Sequence, residues 1–378
     1  MEVGIITFYH KSSNYGGVLQ AYALCSQVNK LFYAQQILYN CAGEKVSVLF
    51  KSKTIVQQVV SRIINKKRNR TLRNRIRIFD SFRPFVSQSE IEYNAQNICD
   101  CLNKYDVFIT GSDQVWNTQW YDEVYRLDFV PSKKYKFSYA AGVSSGNLNM
   151  EQQEVFRRTL RTYDAISVRE ESAVKTLQPL TNKNVEWVLD PTLLLSREEW
   201  DKICSIRKVE DKYIFCYFLG SLSLGNKQII EFAHKRGLKV VTMPYLTWTS
   251  KKDSDFGDYK IYDAAPQDFI SLIKYAEYVF TDSFHATVFS HIYKKNFFVF
   301  NRAGLKSMND RIYSLTSLFD TQERFCDTKG KMSLKYIESL PPIDYDKPFP
   351  KFEAMKEKSI NFLKNNLKRA EEKTNGVK

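Results

Sequence analysis

The chain is predicted to fold as two Rossmann-like α/β domains, with a boundary near residues 190–205. Three observations predict this. Short β-branched apolar runs alternate with helical stretches along the chain, the pattern of a parallel sheet with crossover helices. Polar loops, several with glycine, follow the ends of those runs. The length of 378 residues exceeds one typical core and suits two.

In the first unit a strand at 3–8 enters Tyr9-His10-Lys11-Ser12-Ser13-Asn14-Tyr15-Gly16-Gly17. A helix over about 18–31 follows, with Leu19, Tyr22, Ala23 and Val28 at helical spacing. A strand at about 35–39 completes a βαβ pattern. Residues 52–80 differ: Ile55, Val56, Val59, Val60, Ile63 and Ile64 make an apolar face. Arg62, Lys66, Lys67, Arg68, Arg70, Arg73, Arg75 and Arg77 then follow with no acid among them. The βα pattern resumes with a strand at 106–110 that runs into Gly111-Ser112-Asp113-Gln114. Strands at 137–141 and 165–168 come next. The second leads into Arg169-Glu170-Glu171-Ser172, a helix start with acids in its first turn. A strand at 185–189 stops at Asp190-Pro191.

The second unit opens on Ser196-Arg197-Glu198-Glu199, which reads as an N-cap and capping box. Strands are expected at 213–219, 238–243, 278–281 and 297–300, and helices at about 226–236, 266–275 and 284–294. A charged amphipathic helix at about 351–372 closes the chain. There is no internal sequence repeat. The division expected is 1–195, 196–345 and a tail of 346–378.

Hydrophobic residues make up 43%, enough for globular cores, and the net charge of +14 predicts an anionic partner. Nucleic acid, an anionic membrane surface and a phosphorylated substrate all satisfy that. The 7 cysteines are scattered. Cys99 and Cys101 form the one close pair, and no second pair completes a metal site. Reduced, mostly buried thiols are expected, in a reducing compartment. The first residues lack the basic leader and long apolar stretch of a signal peptide. No apolar run reaches the ~18 residues that would suggest a membrane span. A cytoplasmic protein is expected.

Ligands of open parallel sheets bind at the carboxyl ends of the strands. Four loops there carry candidate residues: 12–17, 111–114, 169–171 and 282–285. In Thr281-Asp282-Ser283-Phe284-His285, Ser283 is placed to cap a helix whose first N–H groups and dipole favour an anion. His285 in the first turn can donate a proton or a hydrogen bond to that anion. The same pattern equally serves a plain cap, with Asp282 and Ser283 structural and His285 a surface residue. Arg169 at a strand end can bind a carboxylate or phosphate bidentately, or pair with Glu170 or Glu171. Arg311 is a weaker candidate of that kind. Ser112, Asp113 and Gln114 offer hydroxyl, carboxylate and amide to a sugar, and Asp113 is the local candidate for a general base. Asn14, Tyr15, Gly16 and Gly17 bring backbone to a helix N-terminus. They lack the spacing of dinucleotide and P-loop motifs, which argues against NAD and ATP. The basic segment reads as a packed or solvated helix face, or as an interfacial helix on an anionic membrane.

Taken together, these stretches resemble the bacterial polysaccharide pyruvyltransferases. The match runs through Gly4-Ile5-Ile6-Thr7-Phe8, Asn14-Tyr15-Gly16-Gly17-Val18-Leu19-Gln20-Ala21-Tyr22 and Phe108-Ile109-Thr110-Gly111-Ser112-Asp113-Gln114-Val115-Trp116-Asn117. It continues through Ser138-Tyr139-Ala140-Ala141, Ser167-Val168-Arg169-Glu170, Leu189-Asp190-Pro191-Thr192-Leu193-Leu194 and Thr281-Asp282-Ser283-Phe284-His285-Ala286-Thr287. Their order covers roughly residues 1–315, and the match departs at Ala286, where glycine is common. The resemblance implies a two-Rossmann architecture of the GT-B type around a central cleft, with the acceptor on the first domain and the donor on the second. It implies phosphoenolpyruvate as donor, no further cofactor, no metal, and a cyclic ketal formed on two hydroxyls of one sugar. His285 and Arg169 match positions such enzymes use for the donor, and Asp113 falls in a matched motif. Whether His285 supplies the proton or holds the phosphate stays open. The acceptor would belong to capsule, exopolysaccharide or cell-wall polymer synthesis. The 52–80 segment favours a polyprenyl-diphosphate-linked saccharide at the inner membrane face. A nucleotide-sugar-dependent glycosyltransferase of the same architecture is the competing reading; no nucleic-acid motif is recognisable.

Overall fold

The computed structural model describes residues 1–41, 74–75, 77–118, 122–143, 148–220, 226–244, 256–301, 309–328 and 330–376. Residues 52–73 and 76 of the basic segment therefore lie outside the described residues.

The first unit is built from β1 (Glu2–Ile6), α1 (Tyr15–Asn29), β2 (Tyr33–Tyr39), β3 (Gln88–Tyr93), β4 (Val107–Thr110), β5 (Tyr135–Ser138), α2 (Met150–Arg161), β6 (Ile166–Val168), α3 (Glu171–Leu177) and β7 (Val185–Trp187). Its strands are parallel in the order β3-β2-β1-β4-β5. The β6–β7 pair continues the sheet through bridges from Phe137 to Ala165 and from Ala141 to Val168. After α4 (Arg197–Asp201) the second unit holds β8 (Tyr213–Tyr217), α5 (Asn226–His234), β9 (Lys239–Thr242), β10 (Tyr259–Lys260), α6 (Pro266–Lys274), β11 (Tyr278–Thr281), α7 (Phe284–Ile292), β12 (Asn296–Phe300), α8 (Asn309–Leu318) and β13 (Phe325–Cys326). Its order, β10-β9-β8-β11-β12-β13, repeats that of the first sheet. Two Rossmann-like halves thus exist without any sequence repeat. Each reverses its strand order at one point, β1/β4 and β8/β11, where ligands of such sheets bind.

Both switch points are crossed by side-chain hydrogen bonds. In the first, Thr7 Oγ1 donates to the Ser112 carbonyl at 2.9 Å. In the second, the N–H groups of Leu219 and Gly220 donate to the carboxylate of Asp282 at 2.7 and 2.8 Å.

Several boundaries differ from expectation for local reasons. α1 begins at Tyr15 rather than near 18, because the Asn14 side chain accepts from the Gly17 N–H and caps the glycine pair into the first turn. β5 ends at Ser138, short of 141: Ala140 takes φ +49°, and the Gly142 N–H then donates to the Asp113 carbonyl at 2.7 Å. The Ser196–Glu199 capping box forms as read. β3 and α2 were not foreseen; α2 buries only Phe156, Thr159 and Leu160 and is otherwise polar.

The halves share one continuous core. Tyr15 joins them: its ring stacks on Phe269 at 5.0 Å and its hydroxyl donates to the Ala264 carbonyl at 2.7 Å. After α9 (Leu334–Ser339), the long α10 (Pro350–Gly376) returns to the first sheet. There Asn366 accepts from Tyr135 and Ser359 from the Leu189 N–H, both at 2.8 Å. The 7 cysteines are free; Cys25, Cys101, Cys216 and Cys326 are buried, and Cys41 and Cys99 are exposed. Among the described residues no helix is long and apolar enough to cross a membrane.

Candidate active site

The site forms where the carboxyl ends of both sheets meet. β11 delivers Asp282 and Ser283 to the start of α7. Ser283 Oγ accepts from the Ala286 N–H at 3.4 Å, so the sequence-expected cap is present. His285 then lies in the first turn, against the first turn of α1 from the other half. A Cβ on Gly16 would stand 1.8 Å from Nδ1 of His285, so only glycine admits the imidazole there.

Asp113 is carried on the loop after β4 with φ +61°. Its Oδ2 lies 3.3 Å from where a Gly17 Cβ would be. Arg169 follows β6. Its Nε pairs with Glu170 at 3.0 Å, and its Nη1 pairs with Asp190 at 3.2 Å and approaches Asp113 at 3.7 Å. The side chain is only 1% exposed, and Nη2 has no hydrogen-bond partner. The guanidinium therefore does not present an open fork to solvent, as a bidentate anion clamp would. It is the buried cation of a carboxylate cluster, and the pairing with Glu170 weighed from the sequence is real.

The centre of that cluster is Asp190, a residue that the sequence marked as a strand stop within a matched stretch and not as a site candidate. Its Oδ1 accepts from Thr192 Oγ1 at 2.6 Å and from the Thr192 N–H at 3.0 Å. Its Oδ2 accepts from Ser112 Oγ and from Arg169 Nη1, each at 3.2 Å. The same oxygen stands 3.6 Å from Nε2 of His285, an ion-pair distance longer than a hydrogen bond. Burial alone would raise this carboxyl, but His285, Arg169 and Thr192 together hold it below the ordinary carboxylate range. Burial likewise disfavours the Arg169 cation, and Glu170, Asp190 and Asp113 more than restore it. The only sequence signal for Asp190 was its place before a proline in a matched stretch. Its partners are far apart in the chain, so periodicity could not reveal them.

Other expected residues have distinct places. Arg311, on α8, lies over the Phe284 ring at 5.6 Å, and Arg169 lies over the same ring at 5.1 Å. Two guanidinium groups thus approach the start of α7. Ser112 is fully buried, its N–H donates to Gln20 Oε1 and its hydroxyl to the Ala140 carbonyl, and so it belongs to the scaffold behind Asp113. Gln114 accepts from Asn117 at 3.0 Å. Asn14 is a helix cap, Tyr15 a core residue between the halves, and Asp282 a clamp on the β8 loop. Among the described residues no group of three His, Cys, Asp or Glu side chains could hold a metal ion.

The arrangement offers one imidazole, the largely buried carboxylate of Asp113 and a buried cation beside a helix N-terminus. That is equipment for binding a small anion and moving protons next to it. The fold has relatives among solved structures. A UDP-GlcNAc 2-epimerase from Methanocaldococcus jannaschii aligns with TM-score 0.55 and 13% identity, covering 97% of this chain and 100% of that one. A UDP-N-acetylglucosamine 2-epimerase from Rickettsia bellii aligns with TM-score 0.55 and 11% identity, covering 98% and 97%. At these identities the likeness is one of fold, the GT-B-type pair of Rossmann-like domains. A comparison with curated proteins finds no match. The family model for polysaccharide pyruvyl transferase matches residues 14–304, a span that holds Gly16, Asp113, Arg169, Asp190 and His285, and the chain belongs to that family.

Proposed function

We propose that this enzyme transfers pyruvyl from phosphoenolpyruvate to two hydroxyls of one sugar, closing a cyclic ketal. The observation that carries the reading is the Asp190 junction, which ties His285 of one half to Arg169 and the Asp113 loop of the other. It supports a single anion site at the N-terminus of α7.

In the reaction, the methylene carbon of phosphoenolpyruvate takes a proton and C2 becomes electrophilic. One sugar hydroxyl adds to C2 and gives up its proton. The second hydroxyl then displaces phosphate and gives up its own. Of the two hydroxyl protons released, one balances that taken by the methylene and the other leaves with phosphate. In this reading Asp113, with 10% of its side chain exposed, receives a hydroxyl proton. His285, 8% exposed, serves the donor as acid or as phosphate ligand. Arg311 and the first N–H groups of α7 offset the donor's charge, and Arg169 acts from deeper in the site, through Nη2 and through Asp190. The acceptor side is assigned to the first domain and the donor side to the second.

The acceptor is proposed to be a polyprenyl-diphosphate-linked saccharide of capsule, exopolysaccharide or cell-wall synthesis, met at the inner membrane face by the basic segment. The test is incubation with phosphoenolpyruvate and free or lipid-linked saccharides. Phosphate release coupled to a mass gain on the saccharide supports the reading. Activity with nucleotide sugars alone would replace it with a glycosyltransferase. Failure to bind anionic liposomes, with no preference for lipid-linked acceptors, removes the membrane part.

A further inference from the structure

The loop between β1 and α1 carries a second polar cluster. His10 Nε2 lies 2.7 Å from Oε2 of Glu92 at the carboxyl end of β3. The other Glu92 oxygen accepts from Lys11 Nζ and from Asn40 Nδ2, both at 2.8 Å. The His10 side chain is only 4% exposed, and its Nδ1 is buried without a hydrogen-bond partner. A polar atom buried in that way is costly unless something completes it.

The tautomer follows from the partner. Lys11 is the largest cause holding the Glu92 carboxyl at about 2, so it is ionised near neutrality and can only accept. Nε2 of His10 therefore carries the hydrogen and donates to Glu92. Burial lowers the His10 pKa despite Glu92, which keeps the ring neutral and leaves a lone pair on Nδ1. Beside the ring lies a cavity of about 20 Å³, lined by Tyr9, Lys11, Ser12, Asp80 and Arg83 among others. That is room for about one water-sized group. Both cations there are paired with carboxylates, Arg83 through Nε with Asp80 at 3.0 Å and Lys11 with Glu92 at 2.8 Å. Of the residues that line it, His10 alone has a buried side-chain polar atom without a hydrogen-bond partner, Nδ1.

The cluster lies on the β3 side of the first sheet, with two strands between β3 and β4, whose loop carries Asp113. It sits on the same carboxyl edge of the first sheet, on the loop anchored by the Thr7–Ser112 bond. The Phe8 carbonyl and Asp113 Oδ2 lie 3.0 and 3.3 Å from the Cβ position of Gly17.

We propose that this pocket is a saccharide subsite, in which Nδ1 of His10, held by Glu92, accepts a hydrogen bond from one hydroxyl of the acceptor. Naming the saccharide as acceptor rests on the pyruvyltransferase reading; the demand for a hydroxyl donor at Nδ1 does not.

The experiment reads the ring directly. The chain has 4 histidines, so ¹⁵N-imidazole NMR of the whole protein is tractable. In the free protein, His10 is expected to show a protonated Nε2 and a bare Nδ1. On titration with methyl α-glucoside, galactoside and mannoside, and with any acceptor the enzyme pyruvylates, the Nδ1 resonance is expected to move toward the hydrogen-bonded position. A protonated Nδ1 in the free protein, or no movement with every sugar, overturns the proposal. In kinetics, His10→Gln keeps an amide donor toward Glu92 and removes the Nδ1 acceptor. The acceptor KM should rise about 10-fold, the worth of one such hydrogen bond, with the phosphoenolpyruvate KM unchanged. An unchanged acceptor KM overturns it, and if that variant does not fold the wild-type titration decides. A wild-type protein that neither binds nor consumes phosphoenolpyruvate, yet shows the sugar-dependent shift, would sink the pyruvyltransferase reading and leave the subsite standing.

Discussion

Gly16 and His285 are in contact across the two halves of the protein, and no side chain fits between them: a Cβ on Gly16 would stand 1.8 Å from the imidazole Nδ1. Gly16→Ala must therefore push His285 off its place or open the halves. Turnover is expected to fall about 100-fold, as for a displacement of roughly 1 Å. The measurement is kcat with thermal stability alongside. Near-normal turnover would mean that His285 does not work from this position.

His285→Ala and Arg169→Ala are expected to part company in stability. His285 sits at the edge of the cluster, and its removal should cost about 100-fold or more in turnover with little change in Tm. Arg169 neutralises Glu170, Asp190 and Asp113 from a fully buried position. Arg169→Ala leaves those carboxylates without their cation and should lower both turnover and stability, the latter by about 3 kcal/mol. Equal Tm for the two variants contradicts this assignment.

Asp190→Asn removes the buried carboxylate that joins Ser112, Thr192, Arg169 and His285. Its folded-state pKa is depressed, so its stabilisation is fully present above the ordinary carboxylate value of about 4 and is lost as pH falls through the lower folded value. Wild type should exceed the variant in stability by about 3 kcal/mol at pH 7, and the two should converge in acid. Denaturant titrations across pH check it; a gap that persists unchanged below pH 3 would refute the electrostatic role.

His291, later on α7, gives a second acid-sensitive element unconnected with catalysis. Burial lowers its pKa to about 3, and its ring stacks on Phe319 at 3.9 Å. Above the unfolded value of about 6.5 both states are neutral there. Between that pH and about 3 only the unfolded chain takes the proton, so folding stability declines as pH falls. His291→Phe should flatten the stability curve in that window. A slope identical to wild type would show that His291 is protonated in the folded state.

The parallel βα pattern, the capping box at Ser196 and the boundaries of β11 were legible because each depends on neighbours within one element or turn. The candidate residues at loop ends were legible for the same reason: a strand end followed by a helix start fixes where a side chain can project. Asn14, Asp282 and Ser112 were named as substrate-binding candidates, and the scaffold bonds that they make were not legible. Each is engaged with backbone or scaffold groups distant in sequence.

The sequence by itself determined two Rossmann-like halves and the family to which they belong. It also placed an imidazole and a carboxylate at the loops that end their strands. The tertiary structure decided the rest. It made Tyr15 a core bridge, turned Arg169 inward among carboxylates, and set Asp190 at the centre of the site. It also brought Gly16 under His285. These depend on contacts between segments tens to hundreds of residues apart, where charge pairing and close packing act through space and leave no period in the chain.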